Sequence, residues 1–156
     1  MPAIIRNTPF CLVPKVLFQE ELLHEYWDLL HAPPRSESLG KDDLENLFLL
    51  YPKPKNEDTV HEITLMAENL RENFSHQANI IFLNVYEEGF YLLVVKDQTL
   101  AFAEYFHYTV KEDILYHLAN TAQQYFETIS HVTFVYQKLP PSVLRLLNHY
   151  YEMIPL

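Results

Sequence analysis

Eight histidines, 21 carboxylates and one cysteine are the side chains of this sequence that could hold a metal or move a proton. Metal ligation from a helix needs two histidines on one face, as in HExxH, where positions i and i+4 point the same way. His24-Glu25 and His61-Glu62 open that pattern, but Asp28 and Leu65 stand where the second histidine belongs. His31, His76, His107, His117, His131 and His149 also lack a partner at that interval, so the histidines read as surface or strand-end residues. Cys11 lies in an apolar run between Pro9 and Pro14 and reads as a small buried residue, not a nucleophile. None of Ser36, Ser38, Ser75, Ser130 and Ser142 has the GxSxG context of a nucleophile elbow. These patterns assign no catalytic, cofactor-binding or metal-ligating residue, and no cofactor is expected.

Phosphate chemistry is disfavoured for a different reason. Loops that wrap phosphate need backbone that approaches the ligand closely or takes positive φ, which glycine alone does without steric cost. The sequence has only two glycines, Gly40 and Gly89, and neither GxGxxG nor GxxxxGK[ST]. A net charge of −10, with no basic cluster, opposes attraction to a nucleic-acid backbone, so no nucleic-acid partner is expected. The longest apolar run, Phe90–Val95, is far short of the roughly 20 residues that span a bilayer. Met1–Arg6 is too short an apolar stretch for a signal peptide, and a single cysteine forms no internal disulfide, so a cytoplasmic location is the expectation.

The elements that must position these side chains fall into two halves. In the first, Phe10–Val13 reads as a short strand, and Pro14 opens a helical stretch to about His31 that Pro33-Pro34 stops. Arg35–Asp43, containing Gly40, reads as a loop. Leu47–Tyr51 is a second strand ended by Pro52-Lys53-Pro54, and Glu57–Phe74 repeats apolar residues at helical spacing behind two acids. The first half is thus β-α-β-α.

The second half changes rhythm. Asn79–Tyr86, Phe90–Val95 and Thr99–His107 are three strand-like runs, separated by Glu87-Glu88-Gly89 and Lys96-Asp97-Gln98, and such short connections force antiparallel hairpins. Gly89 stands where a hairpin loop wants positive φ. A helix follows, with Thr109 as N-cap and Glu112 completing a capping box, and apolar positions Val110, Ile114, Leu118 and Ala122. His131–Tyr136 reads as a fourth strand, and Pro140-Pro141 starts a last helix ending near Ile154-Pro155.

The order β-β-β-α-β-α is that of ribonuclease-H-like and actin-like ATPase sheets, and the crossover helix makes the sheet mixed. The fold class is therefore α/β, with a partial β-α-β-α lobe over 1–76 and a second lobe over 77–156. A two-metal nuclease on such a sheet needs facing carboxylates from neighbouring strands. The first strand offers Asn84 and the third only Glu104, so a nuclease is not expected. Glu87-Glu88 reads as a solvated hairpin tip. Two aromatic clusters, Tyr105–Tyr108 and His149–Tyr151, read as half core and half surface, where tyrosine supplies contact area at low entropic cost.

Three stretches carry a family resemblance: Thr8–Phe18 (TPFCLVPKVLF), Val60–Leu70 (VHEITLMAENL) and Lys96–Leu118 (KDQTLAFAEYFHYTVKEDILYHL). Through them the chain resembles an uncharacterised bacterial family, found mainly in Bacteroidetes, with an actin-like ATPase fold. Members of that family are longer, with a further strand meander before the equivalent of Thr8, and no catalytic residues are established for it. Actin-like ATPases place an acid and glycines in the first hairpin of each lobe, whereas the hairpin here carries Glu87-Glu88-Gly89 flanked by Tyr86 and Phe90. The expected role is a non-catalytic protein-interaction or scaffold module, binding an unknown protein partner or itself. The alternatives are a degenerate nucleotide-binding ATPase or kinase-like enzyme, or a small-molecule-binding domain using the groove between lobes.

Overall fold

The computed structural model describes residues 1–30 and 38–156, which form two compact units, Met1–Asn69 and Leu70–Leu156. His31, Pro33-Pro34, Arg35 and Ser36 lie outside the described residues. The first unit begins with β1 (Ala3–Ile5) and β2 (Cys11–Pro14), followed by two 3-10 turns, Lys15–Leu17 and Glu20–Leu22, and the short α1 (Leu23–Asp28). It continues with β3 (Ser38–Leu44), β4 (Leu47–Lys53), β5 (Thr59–His61) and α2 (Glu62–Asn73), which carries the chain into the second unit.

The long helix expected from Pro14 to His31 does not form. Phe18 and Gln19 are extended, at ψ 131° and 127°. The Tyr26 hydroxyl fixes that break, donating to the Leu17 carbonyl at 2.7 Å and accepting from the Gln19 N–H at 3.0 Å. Phe18 then packs on Tyr26 and edge-on against Phe48 of β4. The apolar residues that suggested one helical face divide accordingly: Trp27 is buried with Cys11, Val13 and Leu50, while Leu29 is 81% exposed.

The segment expected to be a loop is largely β3. It pairs antiparallel with β4, from Ser38↔Lys53 to Leu44↔Leu47, and β2 pairs antiparallel with β4 on the other side. The first unit therefore holds a three-stranded sheet, β2-β4-β3, with Leu47–Lys53 at its centre. The hairpin turns at Glu45-Asn46, where Glu45 takes φ 59° and donates its N–H to Asp43 Oδ1 at 3.1 Å. That Asx-type bond stabilises a turn without glycine. Pro52 does not end β4 but pairs with Leu39; the β2 ladder has already stopped at Cys11↔Leu50, so proline costs no ladder bond on that side. A separate two-stranded parallel pair joins β1 to β5, which puts Glu57 and Asp58 before a strand and makes Glu62 the acid of the first helical turn.

The second unit follows its expected order and adds one strand: β6 (Ile80–Val85), β7 (Gly89–Lys96), β8 (Thr99–His107), α3 (Lys111–Tyr125), β9 (Thr133–Tyr136), α4 (Pro141–Leu147) and β10 (Met153–Pro155). The sheet runs β10-β9-β6-β7-β8, with β6–β7 and β7–β8 antiparallel and β6–β9 and β9–β10 parallel. Ile81, Leu83 and Val85 alternate on one face with Phe90, Leu92 and Val94, packing against Ile114, Leu118 and Ala122 of α3 and Val143 and Leu147 of α4. The Asp97-Gln98 turn has φ 51° and 64°, the doubly positive pattern that matches the twist of a two-residue hairpin.

Three local expectations are overturned. The last helix, expected to end near Ile154-Pro155, stops at Leu147, and Met153–Pro155 is strand β10. Gly89 does not take positive φ; it opens β7 opposite His107, and a Cβ there would fall on the Tyr105 hydroxyl and 2.6 Å from the Phe106 carbonyl oxygen. Thr109 and Glu112 do not cap α3. Val110 is the N-cap and offers no side-chain acceptor, while Asp113 Oδ2 accepts from the N–H groups of Thr109 (2.8 Å) and Val110 (3.1 Å). The two N–H groups hold the Asp113 carboxyl below its usual range.

Candidate functional site

Where β8 runs beside α3 the surface opens into a groove of about 390 Å³. Strand periodicity turns Phe102, Glu104 and Phe106 to that face, while Ala103 and Tyr105 point to the other. From α3, helical spacing brings Tyr116, Asn120 and Gln124, with His117 and Thr121 beside them. His117 stacks on Phe106 with ring centroids 4.1 Å apart and planes at 26°, and Tyr116 meets His117 edge-on at 5.3 Å. Tyr116 remains 66% exposed. Glu104 is the one carboxylate of the lining, which contains no lysine or arginine.

The position of β8 sets what this groove can do. It is the outermost strand of its sheet, pairing with β7 alone among the described residues. The register shifts between Val94 and Val95, opposite Phe102 and Leu100, so Ala101 is the extra residue of a bulge. From Phe102 to His107 the ladder with β7 is regular.

The second polar centre was not visible in the sequence. Asp42 of β3 accepts three bonds: from the Tyr51 hydroxyl at 2.8 Å, the His61 N–H at 2.8 Å and the Thr64 hydroxyl at 2.7 Å. The His61 ring lies near those of Phe10 and Tyr51, its Nδ1 accepts from the Ile63 N–H at 3.2 Å, and its Nε2 is 3.3 Å from the Thr8 hydroxyl. Nδ1 as acceptor makes Nε2 the protonated nitrogen of a neutral ring. Burial pushes the His61 pKa down to about 4, and burial raises the Tyr51 phenol well above its usual range. The arrangement fixes the start of α2 and gives His61 a closed set of partners. Its sequence signal was slight, because Asp42 in the polar run Lys41-Asp42-Asp43 resembles a loop residue.

The remaining candidates disperse. His24, His76, His107, His131 and His149 are exposed, and no group of three or more His, Cys, Asp or Glu among the described residues could hold a metal. Among the described histidines two depart from a surface reading: His61 is fully buried and His117 is half-buried against Phe106. Cys11 is 3% exposed, and burial raises its thiol to about 11, so it is protonated and unreactive at neutral pH. In the Tyr105–Tyr108 cluster, Phe106 joins the groove, Tyr105 packs on Tyr91 at 4.9 Å, and the Tyr108 hydroxyl donates to the Tyr86 carbonyl at 2.8 Å. At the other cluster Tyr151 stacks on Phe134 at 4.4 Å, whereas Tyr150 is 61% exposed. Among the described residues no helix is long and apolar enough to cross a membrane.

A five-stranded mixed sheet with antiparallel β6-β7-β8, a crossover through α3 and a parallel β9 is the arrangement of an actin-like ATPase fold. A crystal structure of a Bacteroides thetaiotaomicron protein with actin-like ATPase fold and unknown function matches it at TM-score 0.84 and 14% identity, over 98% of this chain and 66% of that one. At that identity the likeness establishes the fold alone, and the chain spans just under two thirds of the length of its structural neighbour. Residues 49–126 match the family described as Protein of unknown function (DUF3822), and the chain belongs to that family. No curated protein matches it.

Proposed function

We propose that this chain is a non-catalytic protein-interaction module built on an actin-like fold, with the outer edge of β8 and the adjoining groove as its docking surface. The observation that carries the reading is that β8, nine residues long, stands at the sheet edge beside an open groove of aromatic and polar side chains. An outermost strand presents a row of backbone donors and acceptors that an extended partner segment can pair with, while pockets beside it read alternate side chains. Regular pairing from Phe102 to His107 gives such a segment six residues of register.

The placement of the glycines supports a non-catalytic role. Both lie in strands, where tyrosine rings occupy the space of a side chain: Tyr51 beside Gly40 and Tyr105 beside Gly89. Neither stands in a turn that could wrap phosphate. The tight turns at Glu45-Asn46, Glu87-Glu88 and Asp97-Gln98 each carry a carboxylate, which repels phosphate. Residues 1–76 are read as a partial first lobe and 77–156 as the second, and the buried lone Cys11 suits a reducing cytoplasm.

Thermal unfolding with and without saturating Mg-ATP tests the reading. Unchanged midpoints are expected. Stabilisation of about 2.7 kcal/mol, the gain from a ligand at 100 times its Kd, would overturn it in favour of a nucleotide-binding enzyme.

A further inference from the structure

We infer that the edge of β8 pairs with β8 of a second copy of this chain, antiparallel and about a two-fold axis perpendicular to the sheet. The inference rests on the interaction-module reading and names the partner. Antiparallel strands bond through alternate residues, each turning its N–H and C=O to one side. The Tyr86 N–H donates to the Gly89 carbonyl at 2.8 Å, so Phe90, Leu92 and Val94 turn theirs away from β6 and toward β8. Their register partners Phe106, Glu104 and Phe102 bond back to β7, which leaves Ala103 and His107 turned outward. Outward residues must meet outward residues, so two copies of β8 pair only odd with odd and even with even. Both α3 helices then lie on the same side of one continuous sheet.

The sequence of β8 selects one such register. From Phe102 to His107 the strand holds no lysine or proline, residues that commonly guard an edge. The bulge at Ala101 breaks the register that would run the whole strand, and the next sets the two Glu104 residues opposite each other as like charges. The longest one remaining pairs Ala103 with His107 of the second copy and Glu104 with Phe106 of the second copy. The groove completes the fit. Phe102 touches Tyr125 and Phe106 touches His117, so α3 runs back alongside β8 and Tyr116 lies level with Phe106. The two-fold axis carries each Tyr116 to the level of Glu104 in the other copy's groove, where the Asn120 and Gln124 amides offer partners to its hydroxyl. That covers a side chain otherwise 66% exposed. Glu104 keeps its interactions within the chain, and the Phe106 ring stays stacked on His117.

Sedimentation of the full chain across concentration and salt, joined to NMR, tests the inference. A ladder this short belongs to the transient class of interface, below roughly 1,200 Å² of buried surface, so a monomer–dimer equilibrium at roughly 10–1,000 μM is expected. Each copy carries a net charge of −10, so dimerisation should strengthen as added salt screens the repulsion. In a mixture of 13C-labelled and unlabelled chain, the α-protons of Glu104 and Phe106 in different copies should give a cross-peak, because that pair takes the close, non-hydrogen-bonded position. His107→Pro removes an outward N–H at an exposed position and spares the β7 ladder, while Tyr116→Glu leaves β8 untouched. Each should weaken dimerisation at least about tenfold. A strictly monomeric chain at millimolar concentration, a dimer weakened by salt, cross-peaks confined to other surfaces, or dimerisation unchanged in either variant would overturn the inference, while leaving the edge open to a foreign strand. Stabilisation by Mg-ATP would instead overturn the interaction-module reading itself, so the two failures are distinct.

Discussion

Gly89 and His61 show how single residues are constrained by packing here. At Gly89 the constraint is steric, because backbone that any residue adopts runs beneath Tyr105 and against the Phe106 carbonyl. Gly89→Ala is therefore expected to cost about 1–3 kcal/mol, the range for inserting atoms into packed space, and denaturant titration measures it. A neutral substitution would contradict the packing account. At His61 burial sets the pH response. Its folded pKa of about 4 lies below the ordinary value of 6.5, so between those values the unfolded chain binds a proton that the folded chain does not. Stability is full above about pH 6.5 and falls as pH drops toward 4, by up to roughly 3 kcal/mol. An NMR titration checks this directly: the His61 ring should stay neutral until close to pH 4, and a midpoint near 6.5 would refute the buried, closed network.

At the scale of elements, α3 is what holds β8 and the groove in place. Leu118 is fully buried among Ile81, Phe90 and Leu147 of the same core, so Leu118→Ala should cost about 2–5 kcal/mol and lower the denaturation midpoint. The strands and helices of this unit were legible because each rests on a strong local signal: apolar runs at Ile80–Leu83 and Phe90–Val95, short polar connections at Glu87–Gly89 and Lys96–Gln98, and helical spacing through Ile114, Leu118 and Ala122. β10 was missed because three residues ending in proline carry almost no strand signal, and it exists through parallel pairing with β9. β3 was illegible for a different reason. Lys41, Asp42 and Asp43 stand mid-strand, and it is Asp42's bonds to Tyr51, His61 and Thr64 that make the segment a strand. The expected Pro14–His31 helix failed because leucine spacing cannot reveal that Tyr26 clamps an extended Phe18-Gln19. The groove was only half legible: Glu104 stood out as the lone acid of its strand, but its meeting with Tyr116 and His117 is a product of the crossover.

At the scale of the molecule, an acidic chain on an actin-like fold has both its glycines enclosed in strands and its longest described strand at a sheet edge. The central claim is that this edge is available to a partner. Native-state hydrogen exchange on dilute protein, at a concentration where sedimentation shows single copies, tests it most directly. In an antiparallel edge strand alternate amides face the neighbour and the open side. The account predicts alternating protection from Phe102 to His107, with outward amides exchanging fast while those facing β7, and the amides of central β6, remain protected. Uniform strong protection along β8 would mean that the edge is already covered within the chain, and would contradict the account.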